Sequence, residues 1–119
     1  MKENITAEKS IDFAIKIVNA YKLLISEKKE FVMSKQLLRS GTAIGALIKE
    51  AEHAESKADF LHKMNIALKE ANETQYWLLL LHRGKYFEER EYNFLNDDAI
   101  ELVRLLASIV KTTKLNLGR

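Results

Sequence analysis

Side chains capable of catalysis or metal binding are sparse in this sequence, and their surroundings decide what they can do. Four-helix proteins that hold a di-iron centre supply a Glu-x-x-His from each of two helices and one Glu from each of the others. Glu50 and His53 match that pattern, and Asp59 with His62 is a carboxylate echo of it. Both pairs fall beside one inter-helix turn and lack mid-helix partners, so they read as solvated surface charge and no metal centre is expected. His82 has no acid close to it in sequence and reads as an interface or capping residue. Ser40 and Thr42 have no His or Lys arranged as a base, which leaves nucleophilic catalysis unsupported. No glycine loop is present to cradle a phosphate. The expectation is a protein without enzymatic activity, cofactor or small-molecule substrate.

The scaffold reads as helix throughout. The chain has 119 residues, no Pro, no Cys and four Gly. That length supports one domain, residues 1–119, with a single core, and the composition favours helix while starving β-turns. Without Cys there is no disulfide framework and no thiolate metal site, which suits a reducing compartment. The longest wholly apolar run, residues 77–81, is far short of the ~20 residues that span a bilayer, and the first ten residues contain no signal-peptide core. A cytoplasmic protein with no membrane association is expected.

A first helix is predicted over about 7–28, with Asn4 or Thr6 as N-cap. Ile11, Ala14, Val18, Tyr21 and Ile25 recur at three-four spacing as its apolar stripe, and Phe13, Ile17, Ala20 and Leu24 form a second stripe beside it. The combined face is wide enough for two neighbours. After the charged link 26–30, a second helix is predicted over about 34–53, with Leu37, Gly41, Ile44, Ile48 and Ala51 along its buried seam. Gly41 and Gly45 lie inside it, each costing about 1 kcal/mol against Ala, so close approach of a neighbouring helix is expected there. A third helix, 57–83, starts at a capping-box-like Ser56…Asp59 and closes at Gly84. Its stripe is Phe60, Met64, Ala67, Ala71, Thr74, Leu78 and Leu81. A fourth, about 88–114, carries Tyr92, Leu95, Ala99, Leu102, Leu106, Ile109 and Thr113, and the tail from Leu115 is expected to fray. Four such helices with short links make an up-down-up-down antiparallel four-helix bundle.

Two surface features exceed what a lone bundle needs. Residues 76–81 are apolar all the way round the third helix, placing Trp77 and Leu80 on the line of Lys63, Glu70 and Glu73. Large apolar groups there, with Tyr76, imply a homo-oligomer interface. Basic residues also line up: Lys35, Arg39 and Lys49 step along one face of the second helix with Thr42 and Ala46. No acid follows Glu101, whereas Lys111 and Lys114 do. Nineteen basic and seventeen acidic residues leave only +2 per chain, yet copies assembled together would multiply that charge toward a phosphate backbone. The competing reading is that these cations are merely solvated, those at the C-terminus offsetting the helix dipole.

The segments Gln36-Leu-Leu-Arg-Ser-Gly-Thr-Ala-Ile-Gly45, Glu50-Ala51, Ser56-Lys-Ala-Asp-Phe60, Ile66-Ala-Leu68 and Glu73-Thr74 with Trp77 resemble the "four helix bundle protein" family. It includes proteins encoded by intervening sequences of bacterial 23S ribosomal RNA genes, once labelled S23 ribosomal proteins, and is similar to accessory proteins of diversity-generating retroelements. The chain departs from the common family pattern at Leu47, Lys49 and Ala51, where Asn, Ala and Gly are frequent. The resemblance implies a homo-oligomer, typically a ring-like pentamer, with no catalytic activity and with basic surfaces suited to RNA or a nucleic-acid-bound partner. A protein-interaction or scaffolding module with no nucleic-acid role is the alternative.

Overall fold

The computed structural model describes the backbone of residues 2–119 and side chains from residue 4 onward. Four helices follow one another: α1 (Lys2–Ser26), α2 (Met33–Ala51), α3 (Lys57–Arg83) and α4 (Glu89–Asn116). Each packs on its sequence neighbour, and α1 closes the ring against α4. Contacts such as Lys9–Glu101 with Lys16–Asp98, and Glu50–Lys63 with Arg39–Glu70, run in opposite directions along the paired helices. This is an antiparallel four-helix bundle, 48 × 21 × 21 Å. No described helix is long and apolar enough to cross a membrane.

The core takes one stripe from each helix. Ile17, Leu37, Ala67, Leu78, Leu81 and Leu106 are fully buried at its centre. The seam expected on α2 is buried in full, as is the α3 stripe from Met64 to Leu81. On α1 the order of the two stripes is reversed. Phe13, Ile17, Ala20 and Leu24 form the core, whereas Ile11 is 52% exposed and Ala14, Val18, Tyr21 and Ile25 are only half-buried. The expectation that α1 meets two neighbours holds, since it packs on both α2 and α4.

The expected caps on α1 are corrected. The helix begins by Lys2, and Thr6 is fully buried within it instead of capping it. No Pro or Gly precedes residue 6 to break the helix earlier. At the other end Lys29 takes the left-handed conformation, φ 56°, and the Glu30 amide returns to the Leu24 carbonyl at 3.0 Å. The α3 start follows the sequence in half: Ser56 Oγ accepts from the Asp59 amide at 3.0 Å, but the Asp59 carboxylate accepts from the Glu55 amide, one residue before the cap. Gly84 is the α3 C-cap, yet its φ is −79° and Lys85, φ 73°, makes the left-handed turn. α4 starts with a capping box between Glu88 and Glu91. Its end does not fray at Leu115. The helix runs to Asn116, and Gly118, φ 72°, closes it with the Arg119 amide bonded to the Lys114 carbonyl at 2.8 Å.

Candidate binding surfaces

The basic line on α2 lies where the helix turns from α3 toward solvent. Lys35, Arg39, Ala46 and Lys49 are exposed. Lys35 has no carboxylate within ion-pair distance among the described residues, and Lys49 reaches Glu52 at 3.6 Å. Thr42 turns its hydroxyl inward along its own helix, donating to the Leu38 carbonyl at 2.7 Å. Arg39 is engaged across the α2–α3 seam: its guanidinium donates to Glu70 at 3.1 Å and to Glu73. Glu73 also accepts from the Trp77 indole N–H at 2.9 Å. That bond and the Arg39 guanidinium hold its carboxyl below the usual range against the opposing effect of partial burial. Such forked carboxylate pairing orders the arginine, so the central cation of the line is not free. Lys111 and Lys114, near the end of α4, are exposed and have no carboxylate within ion-pair distance among the described residues.

Trp77 and Leu80 are half-buried, with the Trp77 ring resting against the core, while Tyr76 is 53% exposed and meets Trp77 edge-on at 5.2 Å. The line shared with Glu70 and Glu73 is thus a mixed seam in which aromatic area and carboxylates touch. Signals for the Glu73–Trp77 bond were present in the i, i+4 spacing. Its coupling to Arg39 needed the α2–α3 register. Gly41 and Gly45 face α1: a Cβ on Gly41 would lie 2.9 Å from Ile17 side-chain carbons, and one on Gly45 would lie 3.1 Å from Ser10 Oγ.

The residues considered for chemistry are scattered or tied into structure. Glu50 accepts from Lys63 at 2.9 Å, and His53 and His62 are exposed. Among the described residues no three His, Cys, Asp or Glu gather as a metal site. His82 stacks on Tyr92 at 4.5 Å with its Nδ1 3.2 Å from the Phe87 carbonyl oxygen, fastening the α3–α4 turn. The hydroxyls of Ser40 and Thr74 share a buried 3.0 Å hydrogen bond between α2 and α3. Glu30, read as part of the charged link 26–30, is a further polar tie that periodicity missed. It is buried, and it binds the first amides of α2.

By architecture this is a helical-bundle protein of the four-helix class. Residues 2–108 match the family described as 23S rRNA-intervening sequence protein, and the chain belongs to that family. It is similar to a crystal structure of a protein of unknown function from the S23 ribosomal protein family of Bacteroides thetaiotaomicron. The two are 59% identical, with 93% of this chain and 99% of that one covered and a TM-score of 0.92. No curated protein matches the chain. The family likeness first visible in residues 36–77 therefore extends into α1 and α4.

Proposed function

We propose that this chain is a non-enzymatic bundle that assembles with copies of itself and binds RNA, or a protein already bound to RNA, through basic helix surfaces in the cytoplasm. The observation that carries the reading is the exposure of Lys35, Lys111 and Lys114 without acid partners among the described residues. The family's description by a ribosomal RNA intervening sequence supports it. In the pentamer that the resemblance implies, each such cation is repeated, and repeated cations gain affinity for phosphates by releasing counterions. Tyr76, Trp77 and Leu80 supply the assembly contact in this reading. Scaffolding without RNA is the alternative, favoured by the Arg39 fork, which withdraws one cation from the α2 line.

The test is titration of labelled structured RNA at several salt concentrations with wild type, a Lys35→Glu/Lys49→Glu variant and a Lys111→Glu/Lys114→Glu variant. Binding that weakens with salt, and weakens further with a smaller salt slope in either variant, supports the reading. Absence of binding at low salt, or binding indifferent to both changes, leaves scaffolding.

A further inference from the structure

The α1–α4 boundary opens into a groove of about 370 Å³ between the later half of α1 and the first turns of α4. Its floor is apolar and well packed: Ala20, Leu24, Phe87 and Leu95 are each less than 10% exposed. Its walls are apolar but open, Leu23 on α1 being 48% exposed and Phe94 on α4 58% exposed. Its edges are basic. Three cations line it against one acid, Glu91, whose carboxylate is turned back to the Glu88 amide at 2.9 Å. Lys16 is engaged with Asp98 at 2.6 Å, but Lys28 and Arg90 have no carboxylate within ion-pair distance among the described residues.

We propose that this groove is a docking site for an amphipathic helix of a partner protein that carries acidic residues on both flanks of its apolar stripe. A trough between two antiparallel helices accepts the ridge of a third, and apolar anchors at i, i+3 or i+4 and i+7 would fill the Leu23–Phe94 gap. Lys28 on one edge and Arg90 on the other then meet the flanking acids, which makes the charge complementary on both sides. A small ligand fits less well, because the buried floor residues are all apolar and the uncharged polar side chains of the lining, Asn19 and Tyr86, are exposed and half-buried. A stacked nucleobase also fits less well: the exposed Phe94 face is occupied by the Lys16 ammonium, 4.6 Å from the ring centroid. The site is distinct from the α2 line and the α4 C-terminus, so it does not depend on RNA binding there.

Two synthetic peptides of about 18 residues, roughly five helical turns, share one leucine stripe and differ only in flanks of Glu or Lys. Each is titrated into the full-length protein by fluorescence anisotropy, with amide chemical shifts locating the contact. The Glu-flanked peptide should bind at least about tenfold more tightly, a difference worth ~1.4 kcal/mol, and shift Ala20, Leu24 and Leu95. A Lys28→Glu/Arg90→Glu variant, altered at exposed unpaired positions and checked for fold by circular dichroism, should reverse the preference. Equal binding of both peptides, a preference untouched by the double reversal, or no binding of the Glu-flanked peptide at about 1 mM overturns the proposal. So does a single-stranded oligonucleotide that shifts the groove amides when the peptide does not, which would assign the groove to nucleic acid.

Discussion

Glu30 lies in a run of polar and charged residues between α1 and α2, yet it is 7% exposed. Its carboxylate accepts from the amides of Ser34 at 2.7 Å, Met33 at 3.1 Å and Val32 at 3.2 Å, while Ser34 donates its hydroxyl back to the Glu30 carbonyl. Val32 at the N-cap position has no side chain able to do this, so Glu30 satisfies the orphan donors of α2 from outside the helix. Burial pushes the carboxyl upward, but the amide bonds of Ser34, Met33 and Val32 outweigh it and hold the group below its ordinary value of 4.5. A folded-state value below the unfolded one gives stability that is present above about 4.5 and lost as pH falls through that range. Glu30→Gln should therefore be less stable than wild type by about 1 kcal/mol at neutral pH, the usual worth of a helix cap. Urea unfolding should show the gap closing as pH is lowered toward 3. A gap of equal size at both ends of the pH range would mean that side-chain shape, not the charge, matters. The residue was hidden in the sequence because Glu30 lies two positions before the N-cap Val32, outside the helix it caps, and the left-handed turn at Lys29 brings its carboxylate round to the Val32, Met33 and Ser34 amides.

The boundaries of α2, α3 and α4 and the α2 and α3 seams were legible because one three-four stripe dominated each, and Ser56, Gly84 and the rhythm from Tyr92 marked ends of α3 and α4. α1 was not, for a physical reason. Its two stripes are adjacent, both apolar and both correctly spaced, so periodicity alone cannot choose the rotation of the helix. The choice is made by α2, where the missing side chain at Gly41 admits Ile17. Seating Ile17 there turns Phe13, Ala20 and Leu24 inward and leaves Ile11 half in water. The binding surfaces were legible as lines of residues, while the pairing of Arg39 with Glu70 and Glu73 required the inter-helix register. Gly41→Ala tests the seating directly: its Cβ would lie 2.9 Å from two carbons of a fully buried isoleucine. We expect it to lower stability by about 1 to 3 kcal/mol despite alanine's better helix propensity. Gly45→Ala meets the Ser10 hydroxyl at 3.1 Å, a milder crowding, so propensity and crowding should roughly cancel within about 1 kcal/mol. Gly45→Leu, with three more carbons against the same neighbour, should fall in the range of Gly41→Ala. Denaturation midpoints that place Gly41→Ala at or above wild type would show that the α1–α2 seam is not set by this contact.

For the whole molecule, the question is which apolar face a second copy covers. Beyond the α1–α4 groove, two helix faces among the described residues are candidates. One is Tyr76 with the half-buried Trp77 and Leu80 on α3; the other is Ile5, Ile11 and Ile15 on α1, each 51–56% exposed. Isolated exposed aliphatics are common on soluble proteins. Adjoining aromatic area is more characteristic of an interface, and the Tyr76–Trp77 pair supplies it. Trp77→Asp is a poor probe, because the indole packs on the core and binds Glu73, so unfolding would mimic dissociation. Tyr76→Asp is cleaner: the side chain is 53% exposed and its loss leaves the core contacts of Trp77 in place. Light scattering after size exclusion should show wild type as an oligomer, and Tyr76→Asp should shift it toward monomer while circular dichroism stays helical. Ile15→Asp, equally exposed but on α1, serves as the matched control and should leave the assembly intact. The opposite pattern, with Ile15→Asp dissociating and Tyr76→Asp remaining assembled, would move the interface to the α1 face. A monomeric wild type would end the assembly proposal and with it the multiplication of a modest +2 per chain on which binding to a phosphate backbone was argued.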